Sequence, residues 1–179
     1  MQLEIRTGEL RAATPGRLCG YVARFGSETR IGDFFERVMP GAFRASLADG
    51  RNIVALADHD RRALLGSTAS GTLQLREDEH GLAFELRLPD TSVARDIAVL
   101  VESRVIQGCS FGFMVPPGGD TWLDRGDGSM LRELRNVELQ EVTVTATPAY
   151  SDTEVAKRSR PHQQTHVDLN RAWLETVKC

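Results

Sequence analysis

Apolar and polar residues alternate along this chain in short runs broken by glycine and proline, the pattern of a strand-rich protein. Residues 18–25 (Leu-Cys-Gly-Tyr-Val-Ala-Arg-Phe) and 33–39 read as two strands of a hairpin-like start, joined by the turn-rich stretch 26–32. Pro40-Gly41 breaks the chain, and a short helix is expected over 42–48. Residues 52–59 (Asn-Ile-Val-Ala-Leu-Ala-Asp-His) are short and apolar, as a buried strand is. The clearest hairpin spans 64–76 and 81–88. In its second arm Leu82, Phe84, Leu86 and Leu88 alternate with Ala83, Glu85 and Arg87, and Glu77-Asp78-Glu79-His80 makes the turn. Val93, Ile97, Leu100 and Val101 share one helical face behind the polar start Asp90-Thr91-Ser92, which predicts a helix over 92–103. An apolar, aromatic strand is expected at 105–115, a Gly/Pro/Asp-rich loop around Trp122 at 116–129, and strands at 131–137 and 138–147. In the last of these, Val142 and Val144 face one way and Glu141, Thr143 and Thr145 the other. The polar residues 1–17 read as a flexible leader, 18–155 as one folded domain, and 156–179 as a basic tail. Leu169, Trp173 and Val177 have helical spacing within that tail.

Composition narrows the function. A chain of 179 residues suffices for one domain with its own core, and 41% hydrophobic with 26% charged residues is ordinary for a globular protein. A net charge of −3 argues against nucleic-acid binding through phosphate contacts. No run of 18 apolar residues predicts a membrane span, and the N-terminus lacks the apolar stretch of a secretory signal. Cys19, Cys109 and Cys179 are scattered, without disulfide or zinc spacing, so a reducing compartment is expected and no metal or cofactor.

The candidate chemistry centres on Gln107-Gly108-Cys109-Ser110-Phe111-Gly112-Phe113-Met114, where one hydroxyl stands between two glycines that let a substrate or a second backbone come close. Serine is a weak nucleophile without a neighbouring base. His59, at the end of an apolar strand, is the candidate base, and Glu141, on the polar face of its strand, the carboxylate that orients it. Singly, each residue has a plainer use: close packing for Ser110, a surface hydrogen bond for His59, solvation for Glu141. Cys109 is expected to be a small buried residue, and a rival nucleophile if it faces the site. Gly108-Cys109-Ser110-Phe111-Gly112 also fits G-x-S-x-G, the nucleophile elbow of α/β-hydrolases. That reading fails, because the elbow needs a helix after the serine and here the helix comes before it. The order His, Ser, Glu is wrong for it as well.

That order and its surroundings resemble the prohead (capsid maturation) serine proteases of tailed bacteriophages. The resemblance runs over about residues 18–155. It is carried by Val38-Met39-Pro40-Gly41-Ala42-Phe43, by Asp58-His59-Asp60 with Leu65-Gly66, by Gly108-Cys109-Ser110-Phe111-Gly112-Phe113, and by Leu139-Gln140-Glu141-Val142-Thr143-Val144 running into Pro148-Ala149-Tyr150. It implies a mainly β fold with a few helices, a closed antiparallel β-barrel like that of the herpesvirus assembly proteases. By resemblance His59 is the base, Ser110 the nucleophile and Glu141 the acidic third member. Thr143 stands where the family often has serine, a difference expected to be harmless. The implied role is limited proteolysis inside the immature capsid, in the host cytoplasm, by a phage- or prophage-encoded enzyme. The expected partner is the major capsid protein with its scaffolding segment. Self-cleavage and activity that depends on assembly or on a homo-oligomer are further expectations. Against it stands a module of the same fold that is catalytically silent and serves capsid assembly.

Overall fold

Twelve strands and two short helices run along residues 1–146, the part of the chain that this computed structural model describes. They are β1 (Glu4–Thr14), β2 (Arg17–Arg24), β3 (Glu28–Ile31), β4 (Phe34–Val38), α1 (Arg44–Ala48), β5 (Val54–Ala57), β6 (Asp60–Ser67), β7 (Leu73–Glu77), β8 (Gly81–Arg87), α2 (Ser92–Glu102), β9 (Gly108–Met114), β10 (Asp120–Asp124), β11 (Met130–Leu134) and β12 (Glu138–Thr145). An eight-stranded sheet takes the order β6-β5-β12-β9-β1-β2-β8-β7, and a four-stranded sheet the order β10-β11-β4-β3. Two pairings are parallel, β5 with β12 and β4 with β11. The fold is therefore mainly β with few helices, as the alternation predicts.

The larger sheet is open, which corrects the expectation of a closed barrel. Among the described residues no ladder joins its end strands, β6 and β7. Side chains fill the seam where these strands come together. A Cβ on Gly66 of β6 would stand 2.7 Å from the Leu86 methyl and from the Thr72 hydroxyl, so this corner is packed by side chains instead of joined by backbone. The Thr72 carbonyl accepts from Arg87 N–H at 2.8 Å and its hydroxyl from Ser67 N–H at 3.0 Å. The expected strand over 64–76 is split by this turn into β6 and β7.

Residues 1–17 are not a flexible leader along most of their length. They contain β1, the strand between β9 and β2 near the middle of the sheet. Its inward residues include Glu4 and Arg6, so it has no apolar alternation to announce it. The hairpin expected from residues 18–39 is also absent. β2 pairs with β1 and β8, whereas β4 belongs to the second sheet and makes its hairpin with β3, inside the stretch read as a turn. Likewise the expected loop 116–129 contains β10, whose Trp122 packs on Phe34 with centroids 4.9 Å apart. The tail 156–179 lies outside the described residues.

α2 starts where the sequence predicts. The Thr91 hydroxyl accepts from Ala94 N–H at 3.2 Å, supplying the cap. Its buried stripe is Ala94, Ile97 and Val101, and Val93 is turned outward. In α1, Ser46 is buried; its hydroxyl donates to Val137 O and accepts from Leu139 N–H, both at 2.8 Å. This bond pair fixes the chain as it enters β12. Beneath β9 runs a row of rings, Phe43 against Phe111 (5.7 Å) and Phe111 against Phe113 (5.2 Å), within the main core.

The two sheets meet through buried charge. Arg132 of β11 donates to Glu4 of β1 (2.6 and 3.0 Å), to Glu36 of β4 (3.1 Å) and to Asp120 of β10 (2.7 Å). Arg6 of β1 reaches back to Glu36 at 2.5 Å and to Glu4 at 2.9 Å. The Arg132, Glu4 and Glu36 side chains are only 3%, 7% and 3% exposed. Burial alone would lower the Arg132 pKa. The hydrogen bonds and charge of Glu4, then Glu36 and Asp120, more than offset it and hold the guanidinium above its ordinary value.

Removing the cation leaves two buried carboxylates to share Arg6 alone. Arg132→Met should therefore cost about 3–5 kcal/mol in urea unfolding. Arg95→Ala, which breaks an exposed pair with Asp90, should leave the midpoint unchanged within error. Equal effects from the two variants would mean that the cluster does not hold the sheets together.

Candidate active site

Three adjacent strands of the larger sheet, β5, β12 and β9, build the candidate site. β9 and β12 are antiparallel, with Ser110 opposite Thr143, Phe111 opposite Val142 and Gly112 opposite Glu141. Directly opposed residues point to the same side of a sheet. Phe111, Phe113, Cys109, Val142 and Val144 thus turn into the core, and Ser110, Gly112, Glu141 and Thr143 share the other face.

A β-bulge sets this arrangement. Leu139 opposes Phe113, yet the next pair is Glu141 with Gly112, so Gln140 is the extra residue. Strict pairing would have set Gln140 opposite Gly112 and turned Glu141 toward the core beside Phe111. The inserted residue re-aims the carboxylate, a common use of bulges beside functional sites.

His59 reaches the same face from the turn after β5. Asp58 and His59 both have left-handed backbone, with φ of 46° and 58°. Such conformations are costly for residues other than glycine and gather at sites where the surroundings enforce them. Here Asp58 N–H is tied to Val144 O at 3.0 Å, which anchors the turn to β12. The result is a contact of 2.5 Å between His59 Nδ1 and Glu141 Oε1. The imidazole is about a quarter exposed, and the carboxylate is buried. A buried carboxylate needs a donor, and the His59 ring supplies it.

Gly112 makes room for that contact. A Cβ there would stand 2.8 Å from Glu141 Cγ, so the glutamate side chain lies across the space a larger residue would fill. The sequence showed the glycine but not this purpose.

Ser110 and Thr143 are both 0% exposed. Among the described residues, Ser110 Oγ and Thr143 Oγ1 are the buried side-chain oxygens without a hydrogen-bond partner. The structure therefore joins His59 to Glu141 and sets Ser110 on their face, without a hydrogen bond between Ser110 and His59. Asp58 is exposed, and Asp60 is bound to Arg62 instead of the imidazole. The residues around Trp122 belong to the second sheet. A cleft of about 720 Å³ between the sheets is lined by Arg6, Thr7, Gln107, Gly108, Arg30 and Glu36, among others. It flanks β9 but includes none of His59, Ser110 and Glu141. Among the described residues no cluster of three or more His, Cys, Asp or Glu is placed to hold a metal, and no helix is long and apolar enough to cross a membrane.

Cys109 faces the core, where its thiol lies 3.6 Å from Glu9 O and 3.8 Å from Tyr21 O. Burial, helped by the charge of Glu9, pushes its pKa up to about 12. It is therefore badly placed to rival Ser110. Iodoacetamide at mildly alkaline pH should modify the half-buried Cys19 in the folded protein and leave Cys109 untouched. Peptide mapping that found both modified at similar rates would put the thiol back among the candidate nucleophiles.

The comparisons with known proteins give the family and the fold. The family model described as caudovirus prohead serine protease matches residues 1–167. No curated protein sequence matches the chain. The solved structure of the capsid assembly protease of bacteriophage T4 is similar in fold, with a TM-score of 0.59 at 10% identity, over 80% of this chain and 97% of that one. With a family match over most of its length, this chain belongs to the caudovirus prohead serine proteases.

Proposed function

We propose that the chain is a serine endopeptidase of phage capsid maturation. In this reading it cuts the scaffolding segment of the major capsid protein, and itself, inside the immature capsid. The enzyme is phage- or prophage-encoded and works in the host cytoplasm. The observation that carries the reading is the 2.5 Å contact between His59 and Glu141, on the face that also bears Ser110. Family membership and the fold shared with a capsid assembly protease support it.

The geometry supports the following roles. Glu141 accepts from Nδ1–H, which leaves Nε2 free to take a proton and stabilises the imidazolium once it forms. Ser110 Oγ attacks the scissile carbonyl carbon as its proton passes to His59. The carbonyl electron pair moves to oxygen, and the proton then goes to the leaving amine. Catalytic hydrogen bonds are often long in unliganded enzymes and tighten when substrate binds, so the missing bond from Ser110 to His59 fits a resting state. The same burial of Ser110 supports activity that depends on assembly or on a second copy. It also gives the silent assembly module its support.

Co-expression with the cognate major capsid protein separates these readings. Wild type should yield shortened subunits, by intact mass and N-terminal sequence, and Ser110→Ala should yield full-length subunits. Full-length subunits with wild type, in particles that contain this protein, would favour the silent module. Glu141→Gln should reduce cleavage by about 10²–10⁴-fold, because the amide favours the wrong imidazole tautomer. Gly112→Ala should lower it about 10²-fold with the fold retained, since its new methyl displaces the Glu141 side chain. Wild-type cleavage by Gly112→Ala would show that the position of Glu141 is not critical.

A further inference from the structure

The two buried oxygens without partners belong to residues that face each other across one pair of strands. Ser110 of β9 and Thr143 of β12 are in direct register, and both are 0% exposed. Buried hydroxyls nearly always have a partner, so a single exception calls for an explanation. Two at one position call for a shared one.

Among the described residues the other neighbours suit the two oxygens less well. On the far side of Thr143 the register places Leu56, which is apolar and buried. Two residues along β12, the Glu141 carboxylate is committed to His59. On the far side of Ser110 stands Thr7 of β1, which is exposed. Directly opposed Cβ atoms in an antiparallel pair are about 4.5–5.5 Å apart. A change between staggered rotamers at Ser110 is then enough to bring the two oxygens within hydrogen-bond distance. The sequence of β12 sharpens the point. Val142 and Val144 flank Thr143, and valine has threonine's shape without the polar cost of burial.

We propose that Thr143 is a positioning residue for Ser110, its hydroxyl donating to Ser110 Oγ as that oxygen attacks. This rests on Ser110 being the nucleophile. In the attack the Ser110 proton passes to His59 Nε2 and Oγ forms its bond to the carbonyl carbon. The Thr143 proton stays on Thr143 and points at the oxygen whose charge is changing. In the resting chain the donor is left unpaired, so stability is given up for a group that is useful only during reaction.

A fluorophosphonate probe reads the serine directly: Ser110 Oγ bonds to phosphorus, fluoride leaves, and the proton goes to His59. Labelling rates across the histidine titration range and melting temperatures are measured on the full chain. The forms compared are wild type, Ser110→Ala, Thr143→Val, Thr143→Ser and Thr7→Val. Wild type should label at Ser110, and Ser110→Ala should not label. Thr143→Val should label about 10- to 100-fold more slowly, since the bond that holds Oγ in line for attack is lost. The midpoint of its pH profile should be unchanged. Thr143→Ser should recover close to the wild-type rate, and Thr7→Val should match wild type. The melting temperature of Thr143→Val should equal or exceed that of wild type, because an unpaired buried hydroxyl is gone. A wild-type rate in Thr143→Val overturns the proposal. So does a melting temperature lowered by many degrees, which would mean that the hydroxyl is paired for structure. A wild type that does not label even in the assembled particles of the co-expression test overturns the assignment of Ser110, and this proposal with it.

Discussion

Arg132 sits where water does not reach, with Glu4, Glu36 and Asp120 around it and Arg6 completing the group. Each charge in such a group is costly to bury and becomes tolerable only when the others are in place. The three carboxylates that bond Arg132 come from β1, β4 and β10, so the cluster forms only once both sheets exist and stand in one relation. β1 owes its place to the same demand. Its inward Glu4 and Arg6 are matched to the second sheet, while its outward neighbour Thr7 lies beside Ser110 in the ladder. The strand that carries the candidate nucleophile is thereby braced by a strand whose position depends on ion pairing more than on apolar burial.

The candidate site shows how little machinery an all-β scaffold needs to gather three distant residues. Ser110 and Glu141 come from neighbouring strands, and His59 from the turn after the strand beyond them. Two local irregularities do the aiming. One is the bulge at Gln140, and the other is the left-handed pair Asp58 and His59. Both carry a conformational cost, and both are held by regular structure next to them. Ser46 pins the entry to β12, and Val144 O ties down the turn after β5.

Where apolar periodicity is strong, the sequence was readable. α2 has its cap and its stripe, β8 its alternation, and β9 and β12 their apolar faces. The two valines of β12 were enough to put Glu141 and Thr143 on one side. The contact between His59 and Glu141 was beyond that reading, because it depends on a bulge and a strained turn that leave no pattern of period two. β1 was missed because charged residues occupy its inward positions, which a hydrophobicity argument scores as solvent-facing. β3 has only Ile31 buried among polar neighbours, and β10 is short and framed by glycine and proline, so both read as loops. The closed barrel came from resemblance alone, and side-chain packing at Gly66 and Leu86 accounts for the open seam.

That open seam leaves β6 and β7 as sheet borders, as β3 and β10 are in the second sheet. Borders of this kind invite strands from other molecules. Arg61 and Arg62 project from β6, Arg76 from β7 and Arg30 from β3, all of them exposed. A second molecule approaching any of these three borders in the same way would bring its own arginines against them, which discourages edge-to-edge pairing where barrel closure does not remove the edge.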